Sequence, residues 1–221
     1  MPTARDGRRS QQSRQRRQFD AELRVNVVRL AAVATFYGIH LLQYYAAADA
    51  GGWWSFLGLG GGPTLSQPLH LAVTSLVLAW IAAAMIVHQL LEARILPAWL
   101  MYASTALDAC LLTCVLSLAS GAASPVVAGY FLIVIMAGLR FDLRLVRCAT
   151  ACVVIGYVVL LGAARWSISL SAHPLPIVPR YQQLVTIAAL LLAGILVGQG
   201  VRSLNSLLSD DERPDDPESQ T

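Results

Sequence analysis

One carboxylate stands in the middle of an apolar run, Asp108 in Thr105-Ala-Leu-Asp108-Ala-Cys-Leu-Leu-Thr113. An acid half-way across a bilayer costs about 2.5–3.5 kcal/mol on insertion scales unless it is protonated or paired. Asp108 must therefore face the interior of a helix bundle, neutral or hydrogen-bonded. Two readings stay open. It serves a proton-linked or polar-ligand site, or it is a protonated acid bonded within its own helix or to a neighbour through Thr105, Thr113, Thr74, Ser75 or a backbone carbonyl. In either case Asp108→Asn is expected to insert and fold normally.

About three helical turns further on lies a stretch of small residues, Ser120-Gly-Ala-Ala-Ser124-Pro125. Gly121, Ala122, Ala123 and Ser124 leave a hairpin tip without bulky side chains, so a flat ligand can approach the backbone amides. Ser117, Ser120 and Ser124 offer hydroxyls to a carbonyl-bearing headgroup, and Leu116, Leu118 and Val126 can line its apolar body. Pro125 suits the first turn of the next helix, which needs no intrahelical donor there. The alternative is a tight turn of residues that merely fit. The candidate binding set is Asp108, Ser117, Ser120, Gly121, Ser124 and Pro125.

Other chemistry-bearing residues point to packing. His40 and His88 would be an axial haem pair only at one depth, and their places in their spans differ by roughly 10 Å. His70, at the far end of the second span, has no obvious partner at its level. Cys110 and Cys114, like Cys148 and Cys152, are i, i+4 pairs, but their spans run parallel and separate the pairs by roughly 10 Å, too far for one zinc. They read as small apolar packing residues. Gly194-Ile-Leu-Val-Gly198 forms a small-residue ridge suited to a homodimer or to the bundle's own packing. The glycine-rich Gly51–Gly62 stretch lacks the lysine of a phosphate loop. No nucleophile elbow, HExxH or paired-carboxylate motif occurs, so neither catalysis nor a metal site has residues to rest on.

The elements that must position these residues are membrane helices. Of the 221 residues 56% are apolar and only 13% are charged, a composition that excludes an ordinary water-soluble fold. All sixteen basic residues are arginine, and near the spans all but Arg165 and Arg180 lie towards one side. The expected fold is an all-α, polytopic six-helix transmembrane bundle with spans near residues 30–48, 69–91, 97–119, 124–139, 145–166 and 181–201, each near the ~20 residues that cross hydrocarbon. The short turn at 120–124 makes the third and fourth spans an antiparallel hairpin. Residues 1–23 form a basic cytoplasmic arm, disordered over 1–18. Residues 24–203 form the transmembrane domain and 204–221 an acidic, disordered cytoplasmic tail. Phe19, Leu23, Val27 and Leu30 make one apolar helix face, with Arg24 and Arg29 snorkelling to the headgroups. Arginines before span 1, at Arg94, at Arg140, Arg144 and Arg147, and at Arg202 fall on one side, which places both termini in the cytoplasm. Trp53, Trp54, Trp166, Tyr44, Tyr45 and Tyr181 mark the opposite interface.

The hairpin and the approach to span 1 resemble the six-helix membrane input domain of bacterial redox-responsive sensor histidine kinases of the RegB/PrrB type. In that family an acid begins the third span, Leu and Thr follow, and the outer turn reads roughly Gly-Gly-x-x-Asn-Pro-Phe. The matching positions are Asp108, Leu111-Leu-Thr113 and Ser120-Gly121-Ala-Ala-Ser124-Pro125-Val126, with Leu23-Arg24 and Arg29-Leu-Ala-Ala-Val33 similar to the first helix. The likeness spans most of residues 23–203 in layout but about a dozen residues in motif. Ser120, Ser124 and Val126 depart from the pattern, and no phospho-acceptor helix or ATP-binding domain follows Val201. The resemblance implies the input half of a sensor, standing alone in the bacterial inner membrane, with a quinone as its ligand. Its partners would be the lipid bilayer and a cytoplasmic signalling protein, with no nucleic acid. The competing readings are a small transporter or channel component using Asp108, and a structural membrane assembly subunit.

Overall fold

The structure is a computed structural model that describes residues 4–48, 67–93, 98–119, 121–170 and 178–211. Within these, only the backbone is described for 4–21, 43, 46–48, 98, 167–170 and 208–211. Every described element is helical: α1 (Ala4–Ala48), α2 (Gln67–Glu92), α3 (Ala98–Leu118), two 3-10 turns (Gly121–Ala123 and Pro125–Ala128), α4 (Gly129–Gly138), α5 (Leu143–Leu170) and α6 (Arg180–Asp211). Five helices are long and apolar enough to cross a bilayer, α1 through its Glu22–Leu42 portion. The protein is an all-α, multi-pass membrane bundle. Ser120, the Gly51–Gly62 stretch with Trp53 and Trp54, Arg94 and the tail 212–221 lie outside the described residues.

The fourth span is the shortest, as its sequence leads one to expect. Pro125–Gly138 is fourteen residues, about 23 Å at the rises of 3-10 and α-helix, against a hydrocarbon core of about 30 Å. It nevertheless carries the chain back along α3, because Arg140, just beyond its end, donates to the Met101 carbonyl near the start of α3 at 3.1 Å. α4 is apolar on all sides, and its Tyr130, Ile133, Val134, Met136 and Ala137 are buried. It forms the centre of the bundle, in contact with α1, α3, α5 and α6, while α2 packs on α1 and α3.

The main core joins Leu112 and Leu116 of α3, Tyr130, Ile133 and Val134 of α4, Val153, Tyr157 and Leu160 of α5, and Leu190 of α6. Tyr130, fully buried, shares a 2.8 Å hydrogen bond with the Thr113 hydroxyl. Gly156 of α5 makes room for that pair: a Cβ there would lie 2.6 Å from Thr113 Oγ1 and 3.2 Å from the Tyr130 hydroxyl. Gly156→Val is expected to destabilise the bundle by about 1–3 kcal/mol through overpacking. Gly162→Val, where nothing lies within 4 Å of the new Cβ, should leave it unchanged. Thermal unfolding of both variants in one detergent checks the contrast.

Three sequence expectations change here. The N-terminal arm is helical from Ala4, and α6 continues through residues 204–211, which were expected to begin a disordered tail. On α1 it is Leu23 and Val27 that are exposed, whereas Glu22, Val25, Asn26, Arg29 and Val33 are buried. The apolar Leu23–Val27 face is therefore the outer one, and the stripe of Glu22, Asn26 and Arg29 turns inward. Side chains at Phe19 are not described.

Candidate functional site

Glu22, Asn26 and Arg29 stand at i, i+4 and i+7, on one face of α1. Folding turns that face onto α3 and produces a polar ladder with two rungs, about 10 Å apart along α1. On the deeper rung, Arg29 Nε and Nη2 both reach Asp108 Oδ2, at 2.9 and 2.8 Å. Trp80 Nε1 of α2 donates to the other carboxylate oxygen at 2.9 Å. Asn26 completes the rung by accepting from Arg29 Nη1 at 3.4 Å and donating to the Ala84 carbonyl of α2 at 3.3 Å. The Arg29 and Asp108 side chains are only 4% and 5% exposed, so water does not weaken their attraction.

The second rung lies at the end of α4. Arg140 Nη2 meets Glu22 Oε2 at 2.8 Å and Ser104 Oγ at 3.2 Å, while Nη1 donates to Thr105 Oγ1 at 2.8 Å as well as to the Met101 carbonyl. The turn after Gly138 makes this possible. Phe141 adopts a left-handed φ of 54°, a conformation that costs a non-glycine residue about 1–2 kcal/mol, and Asp142 Oδ1 accepts the Arg144 amide at 2.8 Å as α5 begins. Burial lowers the Arg140 guanidinium from its ordinary pKa and Glu22 opposes that shift; the group remains a cation. Glu22 Oε1 and Arg140 Nε are buried with no hydrogen-bond partner among the described residues. This rung is thus less completely satisfied than the deeper one.

Two cations and two anions cancel across the ladder, which ties α1, α2, α3 and the end of α4 together. Asp108 is interior, as its sequence context requires, but it is not bonded within its own helix or to Thr105, Thr113, Thr74 or Ser75. Its partners are Arg29 and Trp80. Arg29 does not snorkel, and Arg140 is not a solvated loop charge. Such a fixed, doubly donated carboxylate acts as a helix clamp.

The proposed binding turn is a separate place. Gly121 takes a φ of 64° and its carbonyl accepts the Ser124 amide at 3.1 Å. Ser124 Oγ caps the following turn by accepting from Val126 N at 3.3 Å, with Pro125 as its first residue. Gly121 and Ser124 are brought together and buried, whereas Ser117 is exposed and donates to the Cys114 carbonyl. Asp108 lies nine residues below Ser117 on α3, roughly 14 Å along the axis, and does not line this turn.

A third polar cluster was missed in the sequence. His40 Nε2 lies 3.2 Å from His70 Nδ1, Tyr44 stacks on His70 at 4.0 Å, and Tyr37 shares a 3.2 Å hydrogen bond with Thr74. His70 thus has a partner, which the comparison of His40 with His88 concealed. His88 instead pairs with Glu92 at 3.5 Å, one turn along α2. Cys110 and Cys114 are exposed and Cys148 and Cys152 half-buried, all with free thiols. Gly194 and Gly198 lie against Thr150 and Leu143 of α5, so the small-residue ridge is used within the chain.

Fold and ladder together define a class, a multi-pass all-α membrane bundle clamped by buried ion pairs. No protein family, curated protein or solved structure matches this chain.

Proposed function

We propose that this protein is a sensory or regulatory module of the bacterial inner membrane, with both termini cytoplasmic. A quinone or similar carbonyl-bearing apolar signal engages the candidate set Ser117, Ser120, Gly121, Ser124 and Pro125 at the turn after α3, and the resulting shift in helix packing is felt by a cytoplasmic signalling partner. The observation that carries this reading is the Arg140–Glu22 pair at 2.8 Å. It connects the far end of the short helix that starts at the ligand turn to α1, which continues as helix back to Ala4. A displacement at Gly121–Pro125 is thereby delivered along α4 to the N-terminal helical extension through one incompletely satisfied rung. Packed helices respond to such inputs by discrete shifts of about 1–2 Å or by one-turn steps. A transport role for Asp108 is less favoured, because Arg29 and Trp80 already engage both of its oxygens. The likeness to the RegB/PrrB input domain supports the choice of ligand.

The test uses spin labels at Arg24→Cys and Arg144→Cys, both exposed positions, in a background with the four native cysteines replaced. In nanodiscs carrying oxidised or reduced quinone, the distance between the labels is expected to differ by about 2 Å or more. Gly121→Val should abolish that difference. Identical distances in the two redox states would refute the proposal.

A further inference from the structure

The cleft between α5 and α6 belongs to neither the ladder nor the turn. It has a volume of about 450 Å³ and runs from Arg147, Gln199 and Arg202 at its mouth to Ala151, Leu191 and Ile195 in its apolar body. Its shape follows from sequence. Gly194 and Gly198 allow α6 to approach Thr150 and Leu143 of α5 closely, which leaves a trough beside the contact. The mouth lies at the end of the bundle that holds the Arg140 turn, because Asn205 Nδ2 of α6 reaches the Phe141 carbonyl at 3.5 Å. Arg147 is four residues into α5, near the plane where hydrocarbon gives way to headgroups.

Arg147 and Arg202 are both exposed. Among the described residues neither makes an ion pair or hydrogen bond, in contrast to Arg29 and Arg140, which are each held by a buried carboxylate. We infer that this cleft binds one anionic phospholipid: the phosphate sits between Arg147 and Arg202, with Gln199 as a further donor, and one acyl chain lies along Ala151, Leu191 and Ile195. Charge selects the head, since a guanidinium matches phosphate oxygens with a planar fork of donors. The apolar trough selects a lipid over other anions. The chain's own acidic tail, residues 212–221, offers carboxylates but no apolar side chain larger than proline to fill the trough. Interhelical basic pockets at the membrane face are suited to such headgroups.

The experiment is retention of lipid by the purified full chain, read by native mass spectrometry after delipidation and titration with dioleoyl phosphatidylglycerol or dioleoyl phosphatidylcholine. Phosphatidylglycerol is expected to be retained at one copy per chain, in preference to phosphatidylcholine. Arg147→Gln or Arg202→Gln should weaken it about fivefold each, and the pair roughly thirtyfold. Ala151→Trp, which fills the trough and keeps both arginines, should lower retention as well. Arg165→Gln, an exposed arginine at the other end of α5, should have no effect. Retention equal for the two lipids, or unchanged in the double arginine variant, overturns the inference. So does phosphatidylglycerol binding that appears only after residues 212–221 are removed, since the tail would then be the occupant.

Discussion

Asp108→Ala is expected to lower the stability of the bundle by about 3–5 kcal/mol, the usual consequence of leaving one partner of a buried ion pair without the other. The loss is large beside the roughly 5–15 kcal/mol that holds a typical domain together. Arg29 would remain in the interior with only Asn26 as a side-chain partner, and the Trp80 indole would lose its acceptor. Asp108→Asn, expected from the sequence alone to fold normally, should fare little better once Arg29 is its partner, because an amide keeps an acceptor oxygen but withdraws the negative charge that Arg29 requires. The double change Arg29→Met with Asp108→Leu should recover most of the loss, since a buried pair replaced by apolar residues of similar volume is often neutral or stabilising. Thermal denaturation in one detergent, followed by the monodisperse fraction on gel filtration, measures all three. An Asp108→Asn protein as stable as the wild type would show that the acid is carried neutral and that the ion pair does not form.

Arg140→Leu should have an effect of similar size, about 3–5 kcal/mol, although the residue lies in a turn between helices. Its guanidinium serves Glu22, Ser104, Thr105 and the Met101 carbonyl at once. Arg140→Lys is the sharper test. A lysine keeps the charge but cannot present two nitrogens in a rigid fork, so it should restore only part of the stability lost in Arg140→Leu. Full restoration by lysine would reduce the rung to a point-charge contact. In the labelled proteins, Arg140→Lys should also blunt the response of α1 to quinone, because the rung connecting α4 to α1 is then loosened.

The parts of this fold that were legible in the sequence are those set by apolar runs. The six helices, the tight α3–α4 hairpin and the interior placement of Asp108 all follow from the intolerance of hydrocarbon for unsatisfied groups. What stayed hidden depends on pairing across long separations. Arg29 meets a carboxylate 79 residues away and Arg140 one 118 residues away, and near the end of an apolar run each looks like an arginine left at the headgroups. A hydropathy window penalises each charge separately and cannot see that they cancel. One local signal was present: Glu22, Asn26 and Arg29 repeat at helical spacing opposite Leu23 and Val27, and in a bilayer the apolar of two such faces belongs outside. The His40–His70 contact was obscured differently, by a depth comparison made with the wrong histidine.

The ladder also constrains how the chain can be made. α1 leaves the ribosome carrying Arg29 while Asp108 is still 79 residues from synthesis, an interval of about 4–16 s at ordinary elongation rates. For that time no carboxylate of α3 exists to meet the guanidinium, and a bare cation deep in lipid is costly. The young helix must therefore wait where Arg29 still reaches headgroups or the insertion machinery, in the snorkelled posture that its sequence suggests in isolation. Only when α3 arrives can the first rung close, and the second must wait longer, until Arg140 follows α4. The first helix to be made is in this sense among the last to be seated.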